Sequence, residues 1–125
     1  MLALDGNTAP YLLYACVRAG SIGTRAGETS NEVTVLAEPQ ERALVVKLSA
    51  FADVLVDVET TLEPHRLCTY LYEVAGAYTT FYEACPVLKA PDDETRRSRL
   101  ALCALTAGTL ETGLGLLGIT VPARM

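Results

Sequence analysis

From Pro39 onward, apolar side chains recur at three- and four-residue steps: Leu44, Val45, Leu48, Phe51, Ala52, Leu55 and Val58. That spacing predicts one buried helical stripe, and two helices meeting near Phe51 fit it as well. A second stripe, Leu67, Leu71, Val74, Ala75, Tyr78, Phe81 and Cys85, starts after Pro64 and ends before Pro86. Proline suits a first helical turn and cannot continue a helix, so both ends are marked. A third stripe runs through Leu100, Cys103, Ala104, Ala107, Leu110, Leu114 and Leu117, with Asp92 or Asp93 as its cap and Gly118 as a left-handed stop. Ahead of these, Asn7 or Thr8 followed by Pro10 predicts a helix start, with helix from Tyr11 to about Ala19. Gly20, Gly23 and Gly27 weaken the later turns, and residues 28–32 are polar enough for a loop. Val33-Thr34-Val35 has no partner run elsewhere, so no strand is expected. The pattern predicts an all-α helical bundle with short connections and one longer loop after the first helix.

A chain of 125 residues, half of them apolar, can bury one core and not two, so a single domain over 1–125 is expected. Within it, 1–27 forms the first helix and 38–125 the helical core. No run of about 18 apolar residues exists and no signal-peptide pattern opens the chain, which predicts a soluble, cytoplasmic monomer away from membranes. Cys16, Cys68, Cys85 and Cys103 contain no C-x-x-C pair, and the one histidine, His65, has no second ligand nearby. Buried thiols are expected in place of zinc or disulfides, and no metal or cofactor is expected in this chain.

The formal charge of −5 argues against gripping nucleic acid by a broad basic face. An RNA partner would have to be read locally, through unpaired bases held by aromatic and apolar groups. Six tyrosines and no tryptophan supply the rings. Tyr70 and Tyr72 cannot both face the core, because positions two apart on a helix point about 200° apart. For Tyr82, base stacking and a boundary position with the hydroxyl in water are both open. Arg96, Arg97 and Arg99 fall in the first turns of the last long helix, where cations oppose the helix dipole. A phosphate contact or a solvated face would each account for them.

Two glycine-rich stretches invite a nucleotide reading and fail on context. Gly113-Leu114-Gly115-Leu116-Leu117-Gly118 matches G-x-G-x-x-G but ends a helix, where small residues serve close packing. The stretch from Gly20 to Gly27 lacks the G-K-[ST] ending of a phosphate loop. With one histidine, no nucleophile elbow and no paired carboxylates beside a base, no catalytic set emerges.

Three stretches, Asp5-Gly6-Asn7-Thr8-Ala9-Pro10-Tyr11-Leu12-Leu13-Tyr14-Ala15 with Arg18 and Ser21-Ile22, Glu63 to Glu73 around Pro64-His65-Arg66, and Phe81-Tyr82-Glu83-Ala84-Cys85-Pro86-Val87-Leu88, occur in an order that, with the ending Leu110 to Met125, resembles the C-terminal anticodon-binding (DALR-type) domain of class I arginyl-tRNA synthetases. The resemblance implies an all-α domain packed behind a catalytic domain that uses ATP, with Mg, to charge arginine tRNA. Neither class I signature, H-I-G-H or K-M-S-K-S, is present, so this chain is expected to be inactive alone. The resemblance further implies that Tyr82 and Met125, with Pro86 and Arg124, receive the central anticodon cytosine. It also implies that Asn7, Tyr11, Tyr14 and Arg18 contact the tRNA backbone or dock the parent's catalytic domain. Glu83 stands where that family commonly has asparagine, and Ala123 where it commonly has glutamate. The alternative from the acidic balance and Glu83 is a helical protein-interaction module from a degenerate or stand-alone relative.

Overall fold

A computed structural model describes residues 8–27, 30 and 32–122. Among these residues five helices follow one another: α1 (Thr8–Ala26), α2 (Pro39–Ser49), α3 (Phe51–Thr61), α4 (Pro64–Ala84) and α5 (Asp93–Leu116). There is no strand among the described residues, and none of these helices is long and apolar enough to cross a membrane.

The first helix outlasts the expectation that its glycines would fray it. Leu12, Ala15, Cys16, Ala19 and Ile22 form a buried stripe that carries α1 through Gly20 and Gly23 to Ala26. Packing against α5 outweighs the helix-propensity cost of about 1 kcal/mol per glycine. The stop comes at Gly27, whose φ of 73° suits a residue without Cβ.

The stripe from Leu44 to Val58 proves to be two helices joined at one residue. Ala50 caps both, and its N–H turns to the Lys47 carbonyl at 3.2 Å, which tightens the last turn of α2. Helix α3 lays only partly buried residues, Phe51, Val54, Leu55 and Val58, onto the bundle. It ends at Leu62, an exposed non-glycine residue with φ 58°.

Helix α4 is the axis, with eight buried residues from Leu67 to Phe81. Phe51 stacks on Tyr70 at 5.9 Å, and the Tyr70 hydroxyl donates to the Lys47 carbonyl. Lys47 also bridges to Glu73 at 2.7 Å, while Glu41 of α2 lies toward the other end of α4, so α2 runs antiparallel to it. Leu71 faces Gly113 and Tyr78 faces Cys103, which makes α5 antiparallel to α4 as well. Tyr11 meets Tyr72 and Arg18 meets Tyr82, so α1 and α4 run parallel. That pairing gives the two helices one shared outer face.

Asp92 caps α5 by accepting from the Thr95 N–H at 2.8 Å, a bond that holds its carboxyl below the ordinary range. At the other end Gly118, with φ 84°, donates to Gly115 at 3.0 Å and Ile119 donates to Leu114 at 2.9 Å. This is a Schellman ending, with Ile119 and Leu114 in the same apolar cluster. Ala104, expected on the inner face, is exposed; the buried line passes through Leu102, Cys103 and Thr106. All four cysteines are buried free thiols, and burial pushes Cys103 and Cys16 up to about 11.

Gly113 shows what a small residue does in α5. A methyl there would stand 2.6 Å from Leu71 Cδ2, and Leu71 is fully buried. Gly113→Ala should therefore lower stability by about 1 kcal/mol, overpacking exceeding the helix-propensity gain. Gly115 has open space, so Gly115→Ala should raise stability by about 0.5 kcal/mol. Urea midpoints shifting in opposite directions are the expected result; equal shifts would mean that Leu71 yields freely.

Candidate functional site

Tyr14 and Arg18 are four residues apart on α1 and therefore share a face. The parallel neighbour α4 brings Tyr82 to the same corner. The Arg18 guanidinium carbon lies 4.4 Å from the Tyr82 ring centroid and 5.9 Å from that of Tyr14. A cation between two rings is held by their quadrupoles. Tyr82 is half-buried, backed by Tyr78 at 5.9 Å and 31°. Tyr78 is fixed inside the core with its hydroxyl toward Cys103 Sγ at 3.8 Å, and burial pushes its phenol far above the ordinary range.

Beside Tyr82 opens a pocket of about 330 Å³, lined by Ile22, Tyr82, Glu83, Pro86, Leu88 and Lys89 over the buried Val87. Its walls are mainly apolar, with one carboxylate and one ammonium at the rim. Further along the same face Tyr11 meets Tyr72 at 5.3 Å. Seven residues separate Tyr11 from Arg18, or about 10.5 Å of helix. Tyr72, Tyr11, Tyr14 and Tyr82, with Arg18, thus make one aromatic row. Tyr70 and Tyr78 are the buried pair, and Tyr72 is 54 % exposed as the 200° separation from Tyr70 requires.

The three arginines of α5 part company. Arg97 is exposed and lines a surface recess with Ser30, Glu32, Thr34 and Glu94, away from the Tyr82 pocket. Arg96 is half-buried. Arg99, expected beside them at the surface, is 6 % exposed. Its Nε donates to Glu41 Oε2 at 3.0 Å and its terminal nitrogen to the Pro86 carbonyl at 2.8 Å. The second oxygen of Glu41 accepts from the Glu38 N–H at 2.9 Å, so the fully buried carboxylate is satisfied on both sides. A guanidinium committed in this way is turned away from any phosphate.

Next to Arg99, Ser98 Oγ accepts from the Thr34 and Val35 amides at 3.0 and 2.9 Å. Arg42 adds bonds to the Leu36 and Ala37 carbonyls, so the segment before α2 is tied down as a strap. Glu41, Ser98 and the pocket wall Lys89 were not singled out by the sequence; the walls Ile22 and Leu88 fall in the stretches that carry the family resemblance, without a role assigned there. Asn7, Arg124 and Met125 lie outside the described residues.

A larger groove of about 670 Å³ runs between α1 and α5, walled by Gly20, Gly23, Ala104, Ala107 and Gly108 and flanked by Val121 and Pro122. No aromatic ring lines it, and Gly20 points about 200° around α1 from Arg18. His65 is exposed in the first turn of α4, 3.6 Å from Glu63. Among the described residues no group of three or more His, Cys, Asp or Glu could hold a metal ion. What the geometry offers is a stacking corner with a shallow pocket, suited to binding a flat group.

Residues 12–125 match the profile of the DALR anticodon binding domain. Over its whole length the chain is 56 % identical to arginine–tRNA ligase of Thermobifida fusca and 55 % identical to that of Frankia casuarinae, covering 22 % and 21 % of those proteins. It thus spans about a fifth of the length of these curated relatives. Among solved structures, arginyl-tRNA synthetase of Thermus thermophilus superposes with a TM-score of 0.88 at 38 % identity, over 98 % of this chain and 22 % of that one. The arginyl-tRNA synthetase of Plasmodium falciparum gives 0.82 at 28 %, again over 98 % of this chain and 22 % of that one.

Proposed function

This chain belongs to the DALR anticodon-binding domain family, and from that premise we propose that its Tyr14, Arg18 and Tyr82 corner binds the anticodon loop of arginine tRNA. The observation that supports this reading is the Arg18 guanidinium held by the Tyr14 and Tyr82 rings, with Tyr82 itself a wall of the adjoining pocket. A splayed base enters that pocket against Tyr82, Pro86 and Leu88, and the central anticodon cytosine is the base assigned to it. Arg18 holds Tyr82 on one side and presents positive charge to the phosphate beside the base. Tyr11 and Tyr72, farther along the row, meet the neighbouring nucleotides.

Met125 and Arg124 complete the pocket in this reading. A methionine supplies a polarizable apolar wall, and the arginine a second cation for the backbone. Arg96 and Arg97 are assigned to tRNA backbone or docking contacts, with Asn7; Arg99 is not, because it is buried and bonded to Glu41 and the Pro86 carbonyl.

The whole protein is proposed to be a monomeric, cytoplasmic arginine–tRNA ligase. Its catalytic part lies outside this chain and uses ATP, with Mg, to attach arginine to tRNA. This domain contributes recognition and no reacting group, with residues 1–27 forming the junction. The test is binding of the full-length protein that carries this chain to an RNA anticodon stem-loop with cytosine at the loop's centre, against the same hairpin with uracil there. Loss of one base-edge hydrogen bond should weaken the second by about 5- to 10-fold. Equal affinities would defeat the assignment and favour a protein-interaction module.

A further inference from the structure

We propose that Arg99 is a positioning residue for the base pocket: held by Glu41, it fixes the Pro86 carbonyl and with it the rim formed by residues 86–89. The inference rests on the RNA reading for its consequence, though not for its geometry. Arg99 lies inside the molecule and touches no pocket surface, yet one arm of its fork ends on the first rim residue, at 2.8 Å from the Pro86 oxygen. The other arm ends on Glu41, whose remaining oxygen is fixed by the start of α2. The rim has few other anchors. Pro86 has no N–H to give, and the one backbone bond of the turn is a 3.3 Å contact from Ala90 to Val87. Val87 is buried as an apolar plug below, while Pro86, Leu88 and Lys89 are exposed around the opening.

A buried ion pair is by itself weak support for stability, because desolvation offsets attraction. The pair is better accounted for by what it holds. A planar fork can serve a carboxylate and a carbonyl together from one rigid group, which a lysine ammonium on a flexible stem does not reproduce. The pocket width beside Tyr82 is then set from α2 and α5, two helices that contribute no residue to its wall.

Two variants of the full-length protein test this: Arg99→Lys, which keeps the charge, and the charge-free pair Glu41→Leu/Arg99→Met. Two readouts are taken on each. The first is amide exchange of Ala90 without RNA, the bonded amide of the turn, expected to speed up about tenfold for the loss of one charged hydrogen bond, while the α4 and α5 amides keep wild-type rates. The second is the preference for the cytosine hairpin over the uracil hairpin, expected to fall to within about twofold of unity with little change in binding of the uracil form. Variants that fold and keep both wild-type rim exchange and wild-type preference overturn the proposal. So does failure of both variants to fold, which would make the pair a requirement of the fold alone. If the unmodified protein shows no preference, the RNA reading fails, and rim exchange by itself decides whether Arg99 positions the turn.

Discussion

Arg99→Met should destabilise the domain by about 3 to 5 kcal/mol, because it strands the Glu41 carboxylate, fully buried, without its cation. That is a large fraction of the 5 to 15 kcal/mol typical of a whole domain, so much of the protein should be unfolded or aggregated at moderate urea. The sign of the second step identifies the cause. Adding Glu41→Leu removes the orphaned charge and fills its space with an apolar side chain, and replacing both members of a buried pair is often neutral. The double variant should regain most of the loss, the remainder reflecting the released Pro86 carbonyl and Glu38 amide. Urea denaturation of the wild type, both single variants and the double variant closes the cycle. Additive losses, with no recovery in the double variant, would show that the two residues act independently and that the ion pair is not the source.

Tyr82→Ala should weaken binding of the cytosine hairpin by about 3- to 10-fold, because Arg18 and Tyr78 flank the ring and the base meets its edge as a pocket wall. The fold should survive, since Tyr82 is only half-buried and its neighbour Tyr78 carries the core contact. Tyr82→Phe should keep most of the affinity, because it keeps the ring. Arg18→Ala should act differently: it removes one cation, so the slope of log affinity against log salt should fall by about 0.7. Titrations at several salt concentrations separate the two effects. Wild-type affinity for Tyr82→Ala would place the base elsewhere on the aromatic row.

The helices were legible in the sequence because each buries a stripe at 3.6-residue spacing and because Pro64, Asp92 and Gly118 mark their ends with local chemistry. The break at Ala50 was not determined, since the apolar line from Leu44 to Val58 continues across it and only a tightened last turn divides it. The glycines of α1 misled for a related reason: propensity is local, while the packing that overrides it comes from α5. Arg99 is the instructive case. A charged residue in a first turn reads as surface, and its partner lies 58 positions earlier in the chain. A signal was nevertheless present, for Thr95, Arg99, Cys103 and Thr106 keep helical spacing and all are buried. The aromatic corner depended on the parallel course of α1 and α4, a property of tertiary arrangement that no short window of sequence contains. Residue type pointed to Tyr82 and the family resemblance to Arg18; only the fold put one over the other.

Helix α1 has a second consequence. Its 19 residues form a rod about 28 Å long, with Leu12 in one apolar cluster and Ile22 in the other. A rod seated at two points has its axis fixed by both. The helix therefore sets Arg18 about 15 Å from Thr8 along one axis, and the place of its guanidinium over the Tyr82 ring follows from how that axis lies on both clusters.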